Sequence, residues 1–323
     1  MKLIIQIPCY NEAETLPETL AELPTALPGI DCLETLVIDD GSQDDTIAIA
    51  KSLGVNHIIR HPQNRGLART FQTGLDACLQ LGADIVVNTD ADNQYPGRFI
   101  AELVAFVQRR EADIVIGNRQ VDAIPHFSPI KKLLQKLGSW TVRTVSGTEV
   151  PDAASGFRAY SREAALRLNI LTRYSYTLET IIQAGKLGLT VKSVPIETNA
   201  PTRPSRLQRN MWHFIKAQAG TIMRLYAFYE PLRTFSYIAS PFLVVGLGAW
   251  LRFFYFFYTN QNPTGHLQSI TIGTGLILVG VITLIFGIQA DIASKHRQLT
   301  QETLYRLKKM ELNQLTVDKA KEA

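Results

Sequence analysis

The stretch Ile85-Val86-Val87-Asn88-Thr89-Asp90-Ala91-Asp92-Asn93-Gln94 decides the fold. Its apolar run stops abruptly in carboxylates, the pattern of a buried parallel strand whose carboxyl end opens into the ligand crevice of an α/β sheet. Asp90 and Asp92 are one residue apart, so on an extended backbone both side chains point the same way. Two carboxylates side by side repel each other unless something positive lies between them. A hard divalent cation that also holds phosphate oxygens meets that need. The alternative is a pair of solvated turn aspartates, because Asp-x-Asp by itself is a weak pattern.

Working outward, the same pattern recurs. Leu3 to Ile7 is a strand stopped at Pro8, and Pro8-Cys9-Tyr10-Asn11-Glu12 leads into a helix near Thr15 to Leu23. Tyr10 offers a ring to stack on a base, and Glu12 an acceptor for a base edge or ribose. Leu36-Val37-Ile38 is a second strand ending in carboxylates, Asp39-Asp40, one of which is expected to face the crevice of Asp90. Ser42-Gln43-Asp44-Asp45 fits a capping box for the next helix, so Asp44 and Asp45 are assigned to that helix terminus. His57 to Arg60 is a third strand, followed by Asn64-Arg65-Gly66-Leu67 and a helix with apolar Leu67, Phe71, Leu75, Cys78 and Leu79. Arg65 and Arg69 could approach phosphates, or Arg69 could lie on a solvated helix face. A helix from about Pro96 to Gln108 and a strand from Asp113 to Gly117 come next, with Arg119 at the strand's carboxyl end.

Strands alternating with helices imply a mostly parallel sheet covered on both faces. Its rim is rich in carboxylates with a few arginines. There is no Gly-x-Gly-x-x-Gly after the first strand and no Gly-x-x-x-x-Gly-Lys-Ser/Thr, so dinucleotide and P-loop readings lack their phosphate-cradling loops.

The chain has 323 residues, enough for one sizeable α/β domain and something more. Phe235 to Tyr258 and Ile270 to Ala290 are long, nearly charge-free stretches that meet the roughly 20-residue requirement for crossing a bilayer. Lys2 leads directly into a strand, unlike a signal peptide, so the first domain is expected in the cytosol. Arg233 precedes the first span, and Lys295, Arg297, Arg306, Lys308 and Lys309 follow the second, whereas Thr259 to His266 carries no Lys or Arg. By the positive-inside rule both termini are cytosolic. Phe253 to Tyr258 would form the aromatic belt at the far interface. Cys9, Cys32 and Cys78 make no Cys-x-x-Cys pair, which suits reduced thiols. No histidine spacing suggests zinc.

Ile7-Pro-Cys-Tyr-Asn-Glu12, Asp39-Asp-Gly-Ser42, Asn64-Arg-Gly-Leu67, Asp90-Ala-Asp92 with Gln94, Gly117-Asn-Arg119 and Asp152-Ala-Ala-Ser-Gly-Phe-Arg158 stand in the order found in family 2 inverting glycosyltransferases. Over roughly its first two thirds the chain most resembles the dolichyl-phosphate mannose synthase and polyprenyl-phosphate glycosyltransferase branch. The resemblance implies a GT-A fold that binds a nucleoside-diphosphate sugar. By position, Pro8, Tyr10, Glu12, Ile38 and Asp40 match the nucleoside pocket. Asp90, Ala91, Asp92 and Gln94 match the diphosphate and metal segment, with Asp90, Asp92 and Gln94 as candidate ligands of Mg2+ or Mn2+. Arg119 matches an arginine near the donor, and Arg206 falls where the family has a basic residue in a loop. Here that loop runs Thr202-Arg-Pro-Ser-Arg206 and departs from the commonest pattern.

Asp92, Asp152, Arg119 and Arg206 are the candidate catalytic residues. Asp152 stands near the attacking group either as a base or as a positioning residue, since a phosphate acceptor is already ionised at neutral pH. Glu179 serves either the site or a helix N-terminus. Leu207 to Tyr229 has no acidic residue, and its apolar residues recur with helical spacing. That fits a basic amphipathic helix in the headgroup plane, or one packed on the catalytic domain. Gln208-Arg-Asn-Met-Trp212 has its arginine in the wrong place for the Gln-x-x-Arg-Trp signature of processive synthases.

The expected partition is 1–200 for a cytosolic GT-A catalytic domain, 201–231 for a mobile basic loop and amphipathic juxtamembrane helix, 232–292 for two transmembrane helices and 293–323 for a cytosolic basic tail. The expected reaction moves a sugar from a UDP- or GDP-sugar to polyprenyl (dolichyl or undecaprenyl) phosphate with inversion. Expected partners are the nucleotide-sugar donor, the polyprenyl phosphate acceptor and the lipid bilayer, with no nucleic acid; a homo-oligomer stays open. The rivals are a same-fold enzyme with another lipid or polysaccharide acceptor, a nucleotidyltransferase, which lacks its Gly-rich basic loop, and a non-catalytic nucleotide-sugar-binding scaffold.

Overall fold

The computed structural model describes residues 1–120, 129–170, 176–199, 220, 223–224, 227–259 and 267–322. The chain divides into two units, Met1–Thr221 with Gln301–Ala323, and Ile222–Thr300. In the first, the apolar runs become β1 (Lys2–Cys9), β2 (Cys32–Asp39), β3 (His57–Arg60), β4 (Ile85–Asn88) and β5 (Ile114–Asn118), joined by β6 (Arg158–Ser161) and β7 (Val191–Pro195). They form one sheet in the order β3-β2-β1-β4-β6-β5-β7. All pairs are parallel except those of β6, which runs antiparallel between β4 and β5.

Helices α1 (Leu16–Ala21), α2 (Thr46–Ser52) and α3 (Leu67–Gln80) make the crossovers, and α4 (Ile100–Gln108) follows a 3-10 turn at Gly97–Phe99. Alternation along β1 sorts its faces. Leu3, Ile5 and Ile7 join a core with Leu16 of α1 and Ile100, Leu103 and Val104 of α4. On the other face Gln6 and Ile38 lie so close to α3 that a Cβ at Gly74 would come within 2.5 Å of Gln6 Oε1. Phe71, Leu75, Cys78 and Leu79 of α3 are buried as their spacing predicts, but Leu67, in the first turn, is 51% exposed. Three further helices complete this part of the chain: α5 (Pro129–Ser146), α6 (Arg162–Arg167) and α7 (Tyr176–Lys186).

The strand order places a topological switch between β1 and β4, where neighbouring crossovers leave in opposite directions and a crevice opens at the carboxyl ends. Gln6 Nε2 donates to Asn88 Oδ1 at 2.9 Å across that switch.

The second unit contains α8 (Pro231–Tyr258) and most of α9 (Leu267–Glu322). Both are long and apolar enough to cross a membrane. The 28 residues of α8 span about 42 Å at 1.5 Å each, more than the roughly 30 Å hydrocarbon layer. The two helices meet through small residues, since a Cβ at Gly246 would lie 2.9 Å from Gly273 O. The second helix does not end with its apolar stretch but continues as helix to Glu322. Most of the expected interfacial helix at 207–229 lies outside the described residues.

Candidate active site

Each strand of the crevice delivers a loop, and polar contacts tie those loops to one another. After β1, Asn11 takes a left-handed backbone (φ 53°). Its N–H donates to Ser42 Oγ at 2.9 Å, and its Oδ1 accepts from Gln43 N at 2.9 Å. Ser42 therefore binds the β1 loop and is not the helix cap expected from sequence; α2 begins at Thr46 with no side-chain cap from Asp45. Asp44 does serve that terminus, accepting from Thr46 N at 3.1 Å, and it also accepts from Ala13 N at 3.1 Å. Tyr10 is exposed beside this knot, and Glu12 accepts from Thr15 Oγ1 at 2.9 Å. Pro8 and Ile38 are register partners at the buried ends of β1 and β2.

Asp39 and Asp40 are both buried. Asp39 accepts from Ser42 N at 3.2 Å. Asp40 Oδ1 accepts from Arg65 N at 2.9 Å and from His61 Nδ1 at 2.8 Å, and Oδ2 accepts from Gly66 N at 2.9 Å. One of Asp39 and Asp40 is expected at the crevice; both are buried, and the Asp40 carboxylate holds the Arg65–Gly66 turn. Arg65 and Arg69 are exposed.

The strand carrying Asp90 ends at Asn88. Asp90 to Asn93 is a turn, with Asn93 at φ 52°, so the extended backbone on which both carboxylates would point the same way is not what carries them. Asp92 Oδ1 accepts from Gln94 N at 3.2 Å. Thr19 of α1 clamps this turn, donating to Ala91 O at 3.0 Å and accepting from Asn93 N at 3.1 Å. Across it, Asn199 Nδ2 donates to Asn93 O at 2.9 Å. Asp90, Asp92 and Gln94 are half-buried. Burial, then the nearby Asp92 charge, push the Asp90 carboxyl up to about 7 against the pull of Arg119.

Opposite stands the segment after α5. Arg119 Nε and Nη2 donate to Asp152 Oδ2 and Oδ1 at 2.7 and 2.9 Å, a bidentate pair whose side chains are 9% and 2% exposed. Burial opposes the charge on Asp152, but the Arg119 guanidinium outweighs it and holds the carboxyl below its ordinary range. Arg158, fully buried at the head of β6, donates to Ser155 O and Ala153 O, and to Thr177 O at the start of α7. It thereby fixes the loop between Asp152 and Gly156. Glu179 is buried within α7 and accepts from Gln183 Nε2 at 3.2 Å. Arg206 lies outside the described residues.

The two walls meet at Gly156, where a Cβ would lie 2.6 Å from Tyr176 Oη and 3.1 Å from Asp90 Oδ2. Gly156 N donates to Tyr95 Oη at 3.3 Å, Gly156 O accepts from Asn88 Nδ2 at 2.8 Å, and Tyr95 stacks on Phe157. Thr19, Asn88, Tyr95 and Tyr176 carry no motif of their own. Nothing local in the sequence marks them as site residues, and only the sheet topology brings them to Asp90.

Among the described residues no three His, Cys, Asp or Glu side chains form a ready-made metal cluster. The Asp90, Asp92 and Gln94 side chains are hard oxygen donors, and Asp90 sits where an added positive charge would relieve it. They fit a cation that takes most of its shell from a ligand, as Mg2+ does with phosphates.

The profile described as glycosyl transferase family 2 matches residues 4–168. An undecaprenyl-phosphate mannosyltransferase of Micrococcus luteus is 30% identical over 206 residues, covering 61% of this chain and 83% of its own length. A UDP-N-acetylglucosamine–dolichyl-phosphate N-acetylglucosaminyltransferase of Methanococcus voltae is 31% identical over 217 residues, covering 59% and 83%. Among solved structures, glucosyl-3-phosphoglycerate synthase from Mycobacterium tuberculosis, in complex with Mn2+, UDP-glucose and phosphoglyceric acid, superposes with a TM-score of 0.56 at 21% identity. It covers 70% of this chain and 79% of that one. That likeness establishes the GT-A fold.

Proposed function

The chain belongs to glycosyl transferase family 2, and on that premise we propose that it transfers a sugar from a UDP- or GDP-sugar to the phosphate of a polyprenol, with inversion at the anomeric carbon. The observation that carries this reading is the Asp90 carboxylate, which packs against Gly156 of the opposite wall and feels the charges of both Asp92 and the Asp152-bound Arg119. The lipid acceptor is supported by the two candidate spans and by the names of the relatives.

In this reading Tyr10 stacks on the base, Glu12 binds the nucleoside, and Pro8, Ile38 and Asp40 shape the pocket floor. Asp90, Asp92 and Gln94, with the Ala91 backbone, would hold Mg2+ or Mn2+, which supplies positive charge to the departing diphosphate. Arg119, buried and fixed, adds a guanidinium directed at the same region, and Arg206 a second from its loop. Asp152 positions Arg119 and the acceptor. It need not take a proton, because a phosphate monoester with a second pKa near ~6 is already an anion at neutral pH. The acceptor oxygen attacks the anomeric carbon as the bond to the diphosphate breaks on the opposite side. The spans anchor the enzyme with its catalytic domain and both termini in the cytosol, and 201–231 is the juxtamembrane segment between 1–200 and 232–292.

The test is nucleoside diphosphate release by the purified full-length protein from a panel of UDP- and GDP-sugars, with and without polyprenyl phosphate. The expected result is release from one donor, dependent on the lipid phosphate and abolished by a chelator. Turnover that needs neither metal nor lipid phosphate would overturn the reading.

A further inference from the structure

The carboxylate turn is held from two directions, by Thr19 of α1 and by the chain that leaves the edge of the sheet. Beyond β7, Ile196 N donates to Asn118 O at 2.8 Å, and three residues later Asn199 stands at the turn that follows β4, three strand positions away. Asn199 N donates to Gln94 O at 3.1 Å and Asn199 Nδ2 to Asn93 O at 2.9 Å, so one residue takes two consecutive carbonyls of the turn. The same Nδ2 lies 3.4 Å from both carboxylate oxygens of Glu22, at the end of α1. All three neighbours are acceptors, which fixes the amide with its nitrogen toward them. Asn93 is buried and left-handed at φ 52°, and its own Nδ2 donates to Glu22 Oε1 at 3.2 Å.

We propose that Asn199 is a positioning residue of the metal site, acting through Gln94. The Gln94 residue is pinned at both ends, its N–H by Asp92 Oδ1 at 3.2 Å and its carbonyl by Asn199 N. With its backbone so committed, Gln94 is left its side-chain oxygen for a cation, and that side chain starts from a fixed point. The Asn199 amide performs the same service one residue earlier, holding the carbonyl of the left-handed Asn93 that separates Asp92 from Gln94. Loss of the amide would free this corner to relax and shift Asp92 and Gln94 relative to each other. Groups that orient a metal's ligands from behind change its affinity roughly 10- to 100-fold when removed. Glu197 ties the same segment to Arg98 at 2.5 Å, but through exposed side chains and not through the carbonyls of the turn. The role of Asn199 rests on the reading of Asp90, Asp92 and Gln94 as a metal site.

The test follows Mn2+ binding to the full-length protein through the electron paramagnetic resonance of the free ion, with UDP or GDP present and Mn2+ held by nucleotide alone subtracted. Thermal unfolding without metal is measured beside it. Asn199→Ala and Asn199→Leu, the second close to asparagine in shape but without a donor, are expected to weaken Mn2+ binding roughly 10- to 100-fold. Glu197→Ala, which cuts the tie to Arg98, should leave it at the wild-type value, and Asp92→Ala marks loss of the site. Asn199 variants that melt earlier yet bind Mn2+ like the wild type would make the residue structural and overturn the proposal. An equal loss in Glu197→Ala would overturn it too, since any loosening of the segment would then suffice. Mn2+ binding untouched by Asp92→Ala would instead overturn the metal-site reading, and the role of Asn199 with it.

Discussion

Gly156 is the point where one methyl group would separate the two walls of the crevice. A Cβ there would meet Tyr176 Oη at 2.6 Å and the Asp90 carboxylate at 3.1 and 3.2 Å, so Gly156→Ala must displace one of them. Ångström-scale displacement of a positioning group costs on the order of a hundredfold in rate, and that loss of kcat is expected with unfolding little changed. Unaltered turnover would mean that the group displaced by the methyl does not position the reacting atoms. Asp152 makes the complementary case. Its folded pKa is lowered, so its contribution to stability is complete above the unfolded carboxyl value of roughly 3.9 and is lost only as pH falls through the folded value. At neutral pH all of it is present. Asp152→Asn strands the buried Arg119 charge and should cost about 3 kcal/mol in denaturant unfolding. If Asp152 positions rather than deprotonates, its variant retains the shape of the pH profile of kcat/KM at reduced height. Loss of the acidic limb would make it a base. Both residues stood in legible motifs, but the sequence could not pair Arg119 with Asp152, because side chains 33 positions apart carry no local signal of contact.

At the scale of elements, the carboxylate turn is held by a helix from elsewhere in the chain. Thr19, on the short α1, serves Ala91 O and Asn93 N with a single hydroxyl. Thr19→Val preserves the shape but leaves both backbone groups buried without that partner, at a cost of about 1–3 kcal/mol. A rise in the metal concentration needed for half-maximal activity should accompany it, because the loosened turn carries Asp92. Destabilisation with no change in metal dependence would make Thr19 a core residue only. The strands of the first half were legible because apolar runs and their abrupt ends are local. The antiparallel β6 was not, since Arg158-Ala-Tyr-Ser161 is short and is specified by the gap between β4 and β5 that it fills. The missed capping pattern has a related cause, for Ser42 is captured by Asn11 N before it can serve α2.

At the scale of the molecule, the end of the chain returns to the catalytic unit. Residues 301–323 group with the N-terminal unit rather than with the spans. Tyr305 Oη donates to Glu163 at 2.9 Å, Arg167 lies 4.8 Å over the Tyr305 ring, and Lys308 Nζ reaches Asp76 of α3 at 2.6 Å. Composition alone made this segment a basic tail, because the partner of each basic residue is set by folding and not by its neighbours in sequence. The Lys308–Asp76 pair is 18% and 38% exposed, so solvent screens it and its coupling should be about 0.5–1 kcal/mol. A double-mutant cycle isolates that quantity. Lys308→Glu should lower the stability of the catalytic unit by placing like charges together, Asp76→Lys should do the same, and the two together should restore most of the loss by reversing the pair. Additive losses would show that the Lys308–Asp76 pair does not couple in solution, and the Tyr305 contacts with Glu163 and Arg167 would then be what holds the C-terminal segment.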